Sequence, residues 1–170
     1  LQSVLAIKLL AYTWVRTGEL RMMRWTEIEG DVWRIPKGKM KRRREHLTPL
    51  CRQAVELLKE VRTRTRSDYV FPGARSDDRP MSENAILYLI GRCGYEHTMT
   101  GHGLRTVAST WANEAAYNRD WIERQLSHTP NDEVRTAYNQ AQYISQRRDM
   151  LQEFANWLDL QQANASSAKG

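Results

Sequence analysis

Cysteine is scarce, with two in 170 residues, Cys51 and Cys93, and no CxxC spacing. The sequence therefore offers no disulfide framework and no zinc-type ligand set, and the expectation is a reduced, cytoplasmic chain. No apolar run approaches the roughly 20 residues of a membrane span, and no secretory signal pattern is present. No membrane partner is expected. No Asp/Glu cluster has metal-ligand spacing, which argues against a two-metal nuclease. Nothing calls for a cofactor or a metal. There is no initiator methionine, and a helical pattern is already under way at Leu1. The chain reads as a fragment of a longer protein. It also lacks internal repeats and long linkers, and its length suits one domain with one core.

The 41% hydrophobic content is ordinary for a folded domain and too high for a disordered chain. The net charge of +6 suits a polyanionic partner, with nucleic acid first among the candidates. The charge is unevenly spread. Arg34, Lys37, Lys39, Lys41, Arg42, Arg43 and Arg44 fall within one short stretch.

Periodicity gives a mainly helical reading with a small antiparallel sheet. Val4–Trp14 reads as a buried helix, interrupted at Arg16-Thr17-Gly18-Glu19 and followed by a short helix through Met23. Val32, Trp33 and Ile35 form one strand candidate and His46–Leu50 another, with the basic stretch as the hairpin tip and a short strand near Trp25–Ile28. A helical stripe starts after Cys51. Residues 68–81 carry Pro72, Gly73 and Pro80 and read as a loop. Ser82 suits an N-cap for a helix through about Arg92. Leu104, Val107, Ala108, Trp111, Ala112 and Ala115 mark a helix from about His102 to Ala116. A short helix is expected over Trp121–Leu126, a polar loop or turn over Asn131–Tyr138, and a last helix from about Tyr143 to Leu160. Ile144, Leu151, Phe154 and Leu158 form its apolar stripe, which suits either its own core or a neighbouring subunit. A disordered tail is expected over 161–170.

Several motifs could carry chemistry, and each also has a plain reading. His102 and Arg105 lie three apart near a helix N-terminus, a place that favours anions; the plain alternative is a surface histidine with a solvated arginine. Arg16 and Glu19 bracket a glycine turn and suit either an anion clamp or a structural ion pair. Lys41 lies in a charge run that is otherwise a solvated face. His128 alone is a loop histidine, and Tyr138 is one of seven tyrosines.

Together, in type and chain order, Arg16, Lys41, His102, Arg105, His128 and Tyr138 resemble the signature of the tyrosine recombinases, the integrases of phages and genomic islands. The flanking text is similar too. Arg16-Thr17-Gly18-Glu19-Leu20-Arg21 with Trp25-Thr26-Glu27-Ile28 resembles the first arginine box, and Ile35-Pro36, Met40-Lys41 and His46-Leu47-Thr48-Pro49-Leu50 resemble the hairpin. Val70-Phe71-Pro72-Gly73 matches the next loop. Gly101-His102-Gly103-Leu104-Arg105 resembles the second box, and Gln125-Leu126-Ser127-His128 with Val134-Arg135-Thr136-Ala137-Tyr138-Asn139 the closing boxes. The likeness runs to about Leu160. Thr17 stands where many relatives carry proline, and some recombinases have tryptophan in place of His128.

The resemblance implies a catalytic domain over 1–160, with N-terminal DNA-binding domains absent from this fragment. It implies site-specific cleavage and rejoining of double-stranded DNA at recombination sites, which integrates or excises a mobile element such as a viral genome. The implied route is attack by Tyr138, giving a 3′-phosphotyrosine and a free 5′-hydroxyl. Arg16 and Arg105 would clamp the phosphate, and His102 and His128 would add donors or relay a proton. Lys41 would be the general acid, and Glu19 would orient Arg16 or hold the frame. Lys37, Lys39, Arg42, Arg43 and Arg44 are DNA-contact candidates. A tetramer on paired sites is implied, with a monomer possible without DNA, in the cytoplasm near a bacterial nucleoid. Tyr117 and Tyr143 are rival tyrosines, but only Tyr138 follows the His128 box in the Val-Arg-Thr-Ala-Tyr context. The functional alternatives are a type IB topoisomerase or telomere resolvase, which share this residue set, and a recombinase-derived DNA-binding regulator without catalysis.

Overall fold

A computed structural model describes residues 2–41, 43–128 and 142–168. Its first helix, α1 (Gln2–Thr13), supplies Leu5, Ala6, Leu9 and Leu10 to the core. Trp14 then turns the chain through a left-handed backbone, φ 57°, into the short α2 (Thr17–Arg21). A 3₁₀ turn over Trp25–Glu27 leads to β1 (Ile28–Glu29), β2 (Val32–Ile35) and β3 (His46–Pro49). These form an antiparallel sheet in the order β1-β2-β3, with Ile35 opposite His46 and Val32 opposite Pro49. Helix α3 (Arg52–Arg62) packs back on α1. After the hairpin β4 (Pro72–Gly73) and β5 (Ser76–Pro80) come α4 (Ala85–Arg92), α5 (Gly101–Glu114), α6 (Arg119–Gln125) and α7 (Ile144–Ser167). The mainly helical class with small antiparallel sheets is thus the one the sequence indicates.

Two helices hold the centre. Helix α1 packs against α3, α4, α5 and α7, while α7 also covers β3 and α6. Phe154 of α7 meets Trp14 edge-on at 5.3 Å and Trp111 at 5.1 Å, and stacks on Trp157 at 5.6 Å. Such aromatic pairs add about 0.5–1.5 kcal/mol each beyond the area they bury. Leu151 and Phe154 are buried within the chain's own core, and Ile144 and Leu158 are half-buried.

The structure corrects several sequence expectations. Residues 72–80 form a β-hairpin rather than loop, because two prolines and a polar Ser-Asp-Asp-Arg stretch hide any alternation. Gly73 permits the close pairing: a Cβ there would stand 3.3 Å from the Ser76 carbonyl oxygen. Trp25–Glu27 is a 3₁₀ turn, and the strand is confined to Ile28–Glu29. Ser82 does not cap α4 directly. Its Oγ accepts from Asn84 N–H at 3.3 Å, and the helix starts at Ala85. Helix α7 runs through Ser167 where a disordered tail is expected. Alanine and glutamine in that stretch sustain an exposed helix once the preceding turns are anchored.

The first turn of α5 sits against the first turn of α2. A Cβ on Gly101 would collide with Thr17 Cγ2 and come within 3.6 Å of Leu10 Cδ2. Gly101→Ala is therefore expected to destabilise the domain by about 1–3 kcal/mol through overpacking. Adding Thr17→Ala should recover most of that loss. Urea midpoints for the two single variants and the double variant test this, and purely additive effects would contradict the contact.

His46 is 5% exposed on β3, and its Nε2 has no hydrogen-bond partner among the described residues. Burial above all, then the guanidiniums of Arg147, Arg105 and Arg124, pushes its pKa down to about 3, against a partial pull from the Gln125 backbone. Its folded pKa lies below the unfolded value of about 6.5, so the unfolded chain binds the extra proton. Its contribution to stability is full above about pH 6.5 and is lost as pH falls toward 3, by up to about 1.4 kcal/mol per unit. Urea midpoints measured at about pH 7 and about pH 5 should drop on acidification. His46→Leu should flatten that drop, and an unchanged drop would refute the assignment.

Candidate active site

The Arg16 box is shaped by the turn between α1 and α2. Arg16 precedes α2 in an extended conformation, φ −79° and ψ 151°. Glu19, 5% exposed, holds it twice: Oε1 accepts from Arg16 Nη1 at 2.9 Å, and Oε2 accepts from the Arg16 backbone N–H at 2.8 Å. A carboxylate in the first turn also suits the positive end of the helix. The Arg16 side chain is about one-third exposed, so the carboxylate fixes it without enclosing it.

Arg105 comes to the same place from α5. It is 4% exposed. Its Nη1 donates to the Trp14 carbonyl, and its Nη2 donates to the Leu126 carbonyl at 2.7 Å. One guanidinium thus joins the α1–α2 turn to the end of α6. Burial first, and the neighbouring Arg16 second, lower its pKa to about 10, while Glu19 opposes them. Arg105 stays cationic near neutral pH, and its bond to the Trp14 carbonyl, two residues before Arg16, brings Arg16, Glu19 and Arg105 into one neighbourhood.

His128 completes the cluster. The chain leaves α6 through Ser127 in the left-handed region, φ 52°, and the His128 N–H donates to the Glu123 carbonyl at 2.9 Å. His128 Nδ1 lies 3.1 Å from Glu123 Oε2. Burial pulls the imidazole pKa below its ordinary value, Arg105 and Arg16 push the same way, and Glu123 resists. A carboxylate only accepts, so in the neutral ring Nδ1 carries the hydrogen and Nε2 is left as an acceptor.

Other expected residues stand differently. His102 is exposed, one turn before Arg105 on α5, where Thr100 Oγ1 caps the helix by accepting from Gly103 N–H at 3.0 Å. Lys41 is exposed beyond the 3₁₀ turn of Lys37–Lys39, and no hydrogen bond or ion pair links it to the cluster among the described residues. Tyr138 and Arg42 lie outside the described residues. Lys37, Arg43 and Arg44 are exposed. Lys39 departs from its expected role as a DNA contact. Its ammonium pairs with Glu27 and donates to the Met22 carbonyl, so it braces the hairpin base.

Sequence reasoning missed the polar groups beneath the cluster. Gln125 and Arg147 are both fully buried. Gln125 Nε2 donates to the Thr13 carbonyl at 2.7 Å, and Gln125 Oε1 accepts from Arg147 Nε at 2.9 Å. A signal for Arg147 was present, since it shares the spacing of Ile144, Leu151, Phe154 and Leu158 and so stands on the buried stripe of α7. Among the described residues, no group of three or more His, Cys, Asp or Glu could hold a metal ion, and no helix is long and apolar enough to cross a membrane.

Two fixed guanidiniums beside a neutral imidazole form a site for a tetrahedral oxyanion with a proton acceptor at its edge. Comparison with known proteins bears on the family and the fold. The prophage integrase IntZ of Escherichia coli is 49% identical over 158 residues, covering 91% of this chain and 39% of the relative. The chain spans about two fifths of the length of the curated relatives it matches. The crystal structure of XerA recombinase superposes with a TM-score of 0.62 at 19% identity, covering 89% of this chain and 56% of that one. A lambda integrase tetramer bound to a Holliday junction gives 0.61 at 16%, covering 78% and 42%. At such identities these structures bear on the fold alone, which is that of the recombinase catalytic domain. The sequence model of the Phage integrase family matches residues 1–144, more than half of the chain, and the chain belongs to that family.

Proposed function

We propose that the chain cleaves and rejoins double-stranded DNA at recombination sites through a covalent 3′-phosphotyrosine at Tyr138, as an integrase that inserts or excises a mobile element. The observation that carries this reading is the convergence of Arg16, Arg105 and His128, drawn from three separate elements, in one neighbourhood. A phosphodiester repels nucleophiles, and the barrier falls when fixed cations meet the charge that grows on its oxygens. Glu19 and the Trp14 and Leu126 carbonyls orient the two guanidiniums before DNA arrives, so little reorganisation remains for the reaction itself.

In the proposed step the Tyr138 oxygen bonds to phosphorus and the bond to the 5′-oxygen breaks. The phenolic proton passes to His128 Nε2 or His102, and Lys41 supplies a proton to the departing 5′-oxygen. A second 5′-hydroxyl then attacks the phosphotyrosine and reverses the exchange. Bond energy is conserved in the covalent intermediate, so no nucleotide hydrolysis is required. Lys41 would reach the phosphate when the hairpin engages DNA, a loop rearrangement of the kind that a substantial minority of complexes show. By analogy with the lambda integrase tetramer on a Holliday junction, the working assembly is proposed to be a tetramer on paired sites.

A nicked suicide duplex tests the chemistry. The intact protein should form a protease-sensitive covalent adduct. Tyr138→Phe should abolish it while leaving DNA affinity nearly unchanged, because it removes a hydroxyl and no charge. Arg105→Lys keeps the charge but loses the fork, and should lower the adduct rate by about 10²–10³-fold. A persistent adduct in Tyr138→Phe would name another tyrosine. No adduct from the unaltered protein would favour a DNA-binding regulator.

Lys37, Lys41, Arg43 and Arg44 are the exposed hairpin cations among the described residues, with Arg42 beside them in sequence. For roughly five phosphate contacts, log affinity should fall with log salt at a slope of about −4 to −5. Replacing Lys37, Arg43 and Arg44 by alanine should flatten the slope by about 3 and weaken site and scrambled duplexes alike. Titrations at several salt concentrations measure this, and an unchanged slope would remove the hairpin from the DNA interface.

A further inference from the structure

One buried cation has no part in the steps above. Arg147 is 0% exposed, yet its guanidinium is satisfied by three neutral oxygens. Nε donates to Gln125 Oε1 at 2.9 Å, Nη1 to the Gln142 carbonyl at 3.0 Å and Nη2 to the Leu47 carbonyl at 2.6 Å. Burial, and to a lesser degree Arg124, lowers its pKa to about 9, which leaves it charged near neutral pH. Desolvating a guanidinium is costly, and well-packed apolar residues often serve stability as well or better. Stability alone therefore accounts poorly for an arginine at this position.

Its partners show what it does. The segment between residues 128 and 142 is flanked by two turns built alike. On one side Ser127 is left-handed, φ 52°, and Arg105 holds the carbonyl just before it, that of Leu126. On the other side Tyr143 is left-handed, φ 51°, and Arg147 holds the carbonyl just before it, that of Gln142. Non-glycine residues persist in that region only where their surroundings over-determine it, at a cost of about 1–3 kcal/mol. Gln125 links the two sides. Its Oε1 takes Arg147, and its Nε2 reaches the Thr13 carbonyl, one residue before the left-handed Trp14 whose carbonyl takes Arg105. The Leu47 bond adds the strand that returns from the Lys41 hairpin.

Resting on the reading of Tyr138 as nucleophile, we propose that Arg147, acting with Gln125, is a positioning residue that fixes both flanks of the tyrosine-bearing segment relative to the Arg16–Arg105 cluster. The clasp consists of residues on either side of that segment. Its effect is on where the phenol can reach, not on the cations that hold the phosphate.

The test separates nucleophile placement from phosphate activation. Arg147→Met and Arg147→Lys are made in the intact protein, each with Tyr138 present and with Tyr138→Phe. Adduct formation on the nicked duplex reads the tyrosine. Cleavage by added hydrogen peroxide in the Tyr138→Phe forms reads the cationic cluster, because a small diffusible nucleophile then replaces the phenol. Arg147→Met should lower the adduct rate by about 10²-fold, the scale of a misplacement near 1 Å. Its peroxide cleavage should stay within a factor of about two of the Tyr138→Phe parent. Arg147→Lys should recover part of the adduct rate. Equal losses in both assays, or an undiminished adduct rate, would overturn the proposal. Failure of both Arg147 variants to fold, read by thermal melting, would make the residue structural and overturn it as well. Absence of adduct from the unaltered protein would instead refute the Tyr138 reading beneath it.

Discussion

The donation of Arg105 to the carbonyls of Trp14 and Leu126 is the constraint on which the site depends. Both carbonyls end helices, where no intrahelical partner is available. Both belong to tight turns, with Trp14 and Ser127 left-handed. A single planar fork satisfies the two at once and so fixes the end of α1, the end of α6 and the start of α5 against one another. Arg16 and His128 leave those same turns within two residues of the held carbonyls, and their placement follows. The groups proposed to bind phosphate are therefore set by backbone contacts that exist before any ligand arrives, which is the condition for electrostatic preorganisation.

The close approach of α5 to α2 requires a missing side chain. Gly101 leaves room for Thr17, and without that room the His102–Arg105 turn would stand away from the Arg16 turn. Behind this contact the domain has two supports of different character. The aromatic wall of Trp14, Trp111, Phe154 and Trp157 supplies undirected burial. The pair of Gln125 and Arg147 supplies directional bonds between α1, α6, α7 and β3. Burial can hold helices together in several registers, whereas a forked donor aimed at named carbonyls accepts one.

Charge is divided along the same lines. Part of the hairpin's apparent excess is neutralised internally: Arg34 bonds Glu29 and Glu45, and Lys39 bonds Glu27. Among the described residues the exposed hairpin cations Lys37, Lys41, Arg43 and Arg44 lie at the outer turn, and the deep cations, Arg105 and Arg147, are capped by carbonyls rather than carboxylates. Carbonyl capping leaves a guanidinium its full charge, so the interior keeps a positive field. His46, set within it, is held neutral by burial first and by the nearby guanidiniums second.

The amino-acid order by itself determined the helical class, the positions of α1, α3, α5 and the β2–β3 hairpin, and the family likeness carried by Arg16, Lys41, His102, Arg105, His128 and Tyr138, because periodicity and motif order are local properties of a chain. It was misleading at residues 72–80, where prolines mask the pairing, and beyond Leu160, where an exposed helix has no stripe to reveal it. It could also not separate Lys39 from Lys37: adjacent lysines in a charge run differ only in whether a carboxylate from another element, here Glu27, lies within reach. The roles of Gln125 and Arg147 stayed hidden for the same reason, since a polar residue on a buried stripe shows its purpose only when its partners are known. Those partners are backbone carbonyls tens of residues away. Which carbonyls meet which guanidinium is decided when the helices pack, so only the tertiary structure could assign it.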